Sequence, residues 1–361
     1  MKLGARILKT GIAITLALFL ADLLQMPSPV FAGIAAIFAI QPTIYRSYLS
    51  IIEQVQGNII GASVAVIFVL VFGKDIFIVG LGAIIIITIL LKLKLEKTIS
   101  LTLVTFIVIM ETPNPDFMQF ALLRFSTIMI GILSAFLVNF IFIPPKYETK
   151  LFYRISGVTE EILKWTRLAM RHASEYRLLK KDIAIIKERL TKVNQFYSLY
   201  KEERRYFKRN DISKTRKLVI YRQMIIASQK GLEVLKLLHR SENVLHQLPD
   251  NLQMQIRERL DFLMHFHEQL LLKFIGKVPI ESDLDSFQNI HIQRNELMNL
   301  FLREIKDYYI QDDFQSYQLM HMLSGIFDYE EQLEHLEILI KSFKSFHKNV
   351  NKVTIEESEE V

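Results

Sequence analysis

Six apolar stretches crowd the first 143 residues, at about 5–25, 29–45, 54–72, 76–92, 97–112 and 121–143. Each reaches or approaches the roughly 17–20 residues a helix needs to cross the hydrocarbon core of a bilayer. Polar hinges part them: Met26-Pro27-Ser28-Pro29, Gly73-Lys74-Asp75, Lys92-Leu93-Lys94 and Pro113-Asn114-Pro115-Asp116. Lipid offers backbone amides no partner, so runs of this length must be helices or strands of a closed barrel. Barrel strands alternate polar and apolar residues over about ten positions, and these runs do not. The pattern predicts six transmembrane helices.

Charge divides the chain at the same place. Residues 1–143 hold 9 of the 44 Lys and Arg and 6 of the 38 Asp and Glu. The remainder is charged at helical-bundle density, so the fold class read here is all-α: a six-helix transmembrane unit over 1–145, then a long-helix cytoplasmic bundle over 146–350. An acidic tail over 351–361 closes the chain, and its Glu356-Glu357-Ser358-Glu359-Glu360 run is read as disordered. The net charge of +6 splits evenly between the halves, so neither is basic enough to suggest a nucleic-acid surface. With no cysteine there is no disulfide scaffold, thiolate metal site or Cys nucleophile.

Lys and Arg set membrane orientation by accumulating in cytoplasmic loops. Lys2, Arg6, Lys9, Arg46, Lys92, Lys94, Lys97, Lys146 and Lys150 fall on one side of the six spans, against Lys74 and Arg124 on the other. Both termini are therefore read as cytoplasmic in a multi-pass protein of the plasma membrane, with the lipid bilayer as its first partner.

Ionisable groups at membrane depth are costly and mark pathways. Asp22, Glu111 and Arg124 are the candidates, all toward the extracytoplasmic ends of their helices. Two readings stand: Glu111 pairs structurally with Arg124, or a titrating carboxylate sits at the mouth of a permeation route where Arg124 attracts an organic anion. Rows of small residues predict close helix packing: Gly4, Gly11, Thr15 and Asp22 on the first helix, Gly57, Gly61 and Ala65 on the third, and Thr127, Gly131, Ala135 and Asn139 on the sixth. On the second, Gln41-Pro42 interrupts the apolar run, because proline removes a donor and clashes with the preceding turn. It either breaks the helix to expose backbone groups to a ligand or ends it, with Arg46 reaching the headgroups. Glu53, Gln54, Gln56 and Asn58 then read as the polar start of the third helix.

The segment Phe31 to Ser47, FAGIAAIFAIQPTIYRS, followed by Gly57-Asn58-Ile59-Ile60-Gly61-Ala62, resembles the aromatic acid exporter family, which is related to the fusaric acid resistance transporters. The resemblance extends to the Gram-positive branch with a cytoplasmic helical domain. It implies a six-helix membrane unit that many relatives carry twice; carried once, it implies a homodimer. Relatives often have an arginine before the Gly-rich part of the third helix. Here that stretch reads Glu53-Gln54-Val55-Gln56.

Beyond Pro144-Pro145 the apolar positions step by four and three: Leu151, Ile155, Val158, Ile162, Trp165; Leu179 through Tyr200; Leu218 through Leu235. That is the seam of coiled-coil-like helices, read as about five in an antiparallel bundle. All nine histidines lie here, at solvated positions and without HExxH spacing, so no metal is expected. No GxxxxGK[ST], GxGxxG or GxSxG occurs, so neither an enzyme nor an ATP-driven pump is expected, and no cofactor.

The function read is secondary transport, exporting aromatic carboxylates or similar amphiphilic organic anions. Asp22 or Glu111 would carry the coupling proton, Arg46 or Arg124 would attract the anion, and Gln41, Pro42, Asn58 and Asn139 would line the path. The alternative is a membrane-anchored helical scaffold or sensor whose bundle binds a partner.

Overall fold

The computed structural model describes residues 5–41, 44–73, 75–111, 117–141, 147–171, 176–207, 212–279, 294–303 and 313–346. Every regular element among them is a helix, and the chain separates into two compact units, residues 1–145 and 146–361.

The first unit holds α1 (Ala5–Leu23), α2 (Val30–Ala39), α3 (Ile44–Phe72), α4 (Ile76–Lys92), α5 (Ile99–Glu111, entered through a short 3-10 turn) and α6 (Phe117–Ile141). Among the described residues, Tyr45–Phe72 and Gln119–Ile141 are long and apolar enough to cross a membrane, and Val30–Ala39 and Ile76–Lys92 are shorter apolar helices. One small-residue core joins α1, α2 and α6, where Ala13, Ala17, Ala21, Ala32, Ala35 and Ala36 are fully buried. A second joins α3, α4 and α5 around Phe68, Ile86, Leu90 and Phe106.

Three expectations are corrected here. The second apolar stretch is a helix of 10 residues, about 15 Å long, and not one running over 29–45. Ile40 is already extended, with φ −72° and ψ 125°, because Gln41 precedes a proline and that position disfavours helix. Pro42 itself lies outside the described residues. The third helix starts at Ile44, not 54, and runs 29 residues. Gln54 and Asn58 are buried within it, on the face it turns to α5, so these polar groups mark a packed seam and not a helix end. On α1 the packing face is also different. Gly11, Thr15 and Asp22 are exposed, and a Cβ on Gly11 would meet nothing within 4 Å. The buried row is Ala13, Ala17 and Ala21, whose methyl groups allow close approach without polar atoms. Gly4 lies outside the described residues.

The second unit is built from α7 (Tyr147–Met170), α8 (Tyr176–Phe207), α9 (Ile212–Arg240), the short α10 (Glu242–Gln247), α11 (Asp250–Ile275), α12 (residues 294–303) and α13 (Asp313–Phe346). One apolar core runs through it, including Leu151, Ile162, Leu190, Leu235, Leu263 and Leu333. Its neighbours are not all antiparallel. Glu148 pairs with Lys217 and Thr159 with Ser228, so α7 and α9 run the same way. Lys230 pairs with Asp328 and Arg240 with His321, so α13 opposes α9. Phe152 stacks on Phe274 while Arg167 pairs with Glu268, so α11 opposes α7 and runs alongside α13 in the same sense. The intervening α12 is what permits that parallel pair.

Candidate anion site and polar clusters of the first unit

α2 and α6 approach until their backbones touch. Gly131 makes this possible: a Cβ there would overlap the carbonyl oxygen of Ala32 and lie 2.9 Å from the Ala35 methyl group. Ala135 continues the contact one turn on and is fully buried. Two turns before Gly131, the same seam holds Arg124, 4% exposed, with its guanidinium carbon 3.0 Å from the centre of the Phe31 ring. Among the described residues, nothing accepts a hydrogen bond from its Nε, Nη1 or Nη2. A guanidinium lying on an aromatic face is held by the ring quadrupole. Its N–H fork stays in the plane of the group, matched to the two oxygens of a carboxylate.

A second cluster gathers the start of α1, the end of α6 and the break after α2. Asn139, 1% exposed, accepts a hydrogen bond from Lys9 Nζ at 3.2 Å and donates to the Gln41 carbonyl oxygen at 2.9 Å. The carbonyl released where α2 stops is thus claimed by an amide from α6.

The third cluster lies between α3 and α5. Thr105 donates to Asn58 Oδ1 at 2.7 Å, and Asn58 Nδ2 donates to the Gln54 carbonyl oxygen at 2.8 Å. Gly57 and Gly61 admit Thr98 and Thr102 so closely that a Cβ on either would come within 2.7 Å of a threonine side chain. Ala65 continues the row, fully buried. The Gln54 Oε1 and Thr102 hydroxyl are buried without a hydrogen-bond partner among the described residues.

Residues 1–142 match the family model described as aromatic acid exporter family member 1. Over 357 residues the chain is 49% identical to the UPF0421 protein YgaE of Bacillus subtilis, spanning 99% of this chain and all of that protein. The chain belongs to the aromatic acid exporter family. More distant relatives are the UPF0421 protein OB2406 of Oceanobacillus iheyensis, 30% identical over 45% of this chain and 46% of that protein, and the UPF0421 protein SSP0904 of Staphylococcus saprophyticus, 32% identical over 58% and 65%.

Within this exporter-family unit the candidate residues separate. Gln41 and Asn139 meet, Asn58 joins α5, and Arg124 lies on Phe31. Glu111 is exposed at the end of α5 and forms no ion pair with buried Arg124, which corrects that pairing. Asp22 is exposed in the last turn of α1, and Arg46 is half-buried near the start of α3. Sequence reasoning misses Lys9, Phe31 and Thr105 as site residues, yet each leaves a signal. Lys9 heads the row Lys9, Ala13, Ala17, Ala21 at four-residue spacing. Phe31 adjoins the Ala32, Ala35, Ala36 face, and Thr98, Thr102 and Thr105 form a hydroxyl stripe opposite Gly57 and Gly61.

The second unit buries ions of its own. Arg259 meets Glu330 through Nε–Oε2 at 3.2 Å and Nη2–Oε1 at 2.5 Å, with side chains 2% and 1% exposed. His267 Nδ1 shares a hydrogen bond of 2.8 Å with the Tyr329 hydroxyl. His267 therefore departs from the solvated positions expected of the histidines; burial pushes its pKa down to about 3 and pushes that of Tyr329 up. No group of three potential ligands among the described residues could hold a metal ion.

Proposed function

We propose that this exporter-family protein is a secondary transporter of the plasma membrane that moves aromatic carboxylates, or amphiphilic organic anions like them, out of the cell. Six apolar segments cross the bilayer, the short α2 being continued by non-helical chain from Ile40; both termini lie in the cytoplasm, two copies pair, and an ion gradient supplies the energy. The apolar exterior of the first unit supports the embedding: Leu70, Ile76 and Phe77 are 76%, 84% and 89% exposed, an arrangement suited to lipid and hostile to water.

The observation that carries the transport reading is Arg124. A buried guanidinium without an acceptor costs several kcal/mol. The chain tolerates that cost here on an aromatic face, beside the tightest helix contact in the unit. A carboxylate supplies the acceptor that the guanidinium lacks among the described residues, and the aromatic ring of Phe31 stands beside it. On this orientation Arg124 lies toward the extracytoplasmic side, and Lys9 with Asn139 lies toward the cytoplasmic side.

Reconstituted vesicles loaded with benzoate-class anions test the reading. Vesicles carrying the wild-type protein should release them faster than loaded vesicles without protein. Arg124→Gln should reduce release by at least tenfold, and Arg124→Lys, which keeps the charge but loses the fork, should fall between. Equal release from wild-type and Arg124→Gln vesicles would remove Arg124 from the pathway. No release from correctly folded wild-type protein would favour the scaffold reading, which the long helices of the second unit support.

A further inference from the structure

A cluster of cations lies at one end of the helical bundle. The start of α7, the end of α8 and the start of α9 meet where Glu148 takes hydrogen bonds from Tyr200 and Lys217. The ends of α11 and α13 join them through the Tyr221–Phe274 ring contact and the Arg216 guanidinium, 4.9 Å over the Phe346 ring. Lys150, Lys201 and Lys277 are exposed at this end. Beneath them, Lys273 and Lys341 share the buried carboxylate of Glu337, and Lys344 donates to the Lys273 carbonyl oxygen.

Two large apolar side chains stand open among these cations, Ile212 at 67% and Phe346 at 70% exposure. Cations ringing exposed isoleucine and phenylalanine make the pattern of an interfacial surface, where apolar groups enter the headgroup layer and Lys or Arg pair with phosphates. Tyr147, which opens this end, follows Ile141 of α6 after five intervening residues. The basic end is thus the one the chain tethers to the exporter unit.

We propose that this end of the bundle docks on the bilayer surface by binding anionic phospholipid headgroups. The proposal rests on the membrane reading above and adds a partner that reading does not require. Each Lys or Arg near a charged leaflet strengthens attachment about fivefold, and the attraction fades within about 3 Å at 1 M salt. Neutralising three exposed lysines should therefore weaken docking on the order of 100-fold.

The test places the full-length protein in nanodiscs of phosphatidylcholine, alone or mixed with phosphatidylglycerol, and follows amide hydrogen exchange. Peptides covering 200–217 and 341–346 should exchange more slowly on the anionic discs. That protection should vanish in 1 M salt and in the Lys150→Gln/Lys201→Gln/Lys277→Gln variant, whose sites are exposed and whose helicity should be unchanged. Equal exchange on both disc types overturns the proposal and leaves the transport reading standing, since vesicle release is measured separately. Protection on phosphatidylcholine discs by added inorganic phosphate or RNA overturns it in favour of a soluble anion. Failure of the protein to enter either disc overturns both readings together.

Discussion

Alanine at Gly131 and alanine at Gly11 are the same chemical change in two helices of one unit, and they should have opposite effects. Either substitution gains up to about 1 kcal/mol in helix propensity. At Gly11 nothing lies within 4 Å of the new methyl group, so that gain is the whole effect. At Gly131 the methyl group would overlap the Ala32 carbonyl oxygen and sit 2.9 Å from the Ala35 methyl group, about 1 Å inside ordinary carbon–carbon contact. Helix α2 would have to move away from α6 by roughly that distance. Overpacking of this kind costs about 1–3 kcal/mol, and backbone on the opposing side yields less readily than a side chain. The balance favours a loss of about 1–2 kcal/mol at Gly131. Thermal unfolding of the purified protein in one detergent, followed by helical circular dichroism, reads both signs. Because Phe31 adjoins Ala32, Gly131→Ala should also slow anion release, while Gly11→Ala should leave it unchanged. A Gly131→Ala protein that melts at or above the wild-type temperature would refute the close approach of α2 and α6.

Glu330→Gln should destabilise the second unit by about 3–5 kcal/mol, because it strands Arg259 as a buried, uncompensated charge. Replacing Arg259 and Glu330 with apolar side chains, Arg259→Met together with Glu330→Leu, should recover most of that loss, because the third member, Arg294 at 3.9 Å from Glu330, is one-third exposed and reaches water; denaturant titration of the single and double variants checks this. Acid should weaken the protein through His267. Its folded pKa of about 3 lies below the unfolded value near 6.5, so the unfolded chain binds the extra proton and stability declines as pH drops below about 6.5. The decline should reach about 2 kcal/mol by pH 5, and His267→Gln should flatten the stability profile over that interval.

How legible these features are depends on whether a local signal has a local cause. The helix Ile76–Lys92 matches the apolar stretch 76–92 residue for residue, because a turn with Asp75 opens it and Lys92 closes it. The long seams of the second unit are equally readable, since burying Leu179, Ile186 and Leu190 requires only a helical period. The end of α2 falls two residues before the Gln41-Pro42 break that sequence marks, because helical backbone does not persist up to a proline even where hydropathy does. Gln54 and Asn58 look like a boundary because the helix they pack near comes much later in the chain: Thr105, which bonds Asn58, lies 47 positions away. On α1, polarity imitates packing: glycine and threonine suggest a contact face that three alanines occupy. Arg124 is marked by sequence, but among the described residues its partner is the ring of Phe31 and not a carboxylate, and nothing local distinguishes a stacked guanidinium from a paired one. The parallel course of α11 and α13 is set by a connection whose length says nothing of direction.

The absence of native cysteine allows the central claim, a multi-pass exporter with both ends inside, to be measured directly. Proteins carrying Asp75→Cys, Glu96→Cys or Lys150→Cys, all at exposed positions, would be treated with a membrane-impermeant maleimide on intact cells. The account predicts labelling of the Asp75→Cys protein from outside, and labelling of the other two only after the membrane is opened. Labelling of Glu96→Cys or Lys150→Cys on intact cells, or protection of Asp75→Cys, would contradict it.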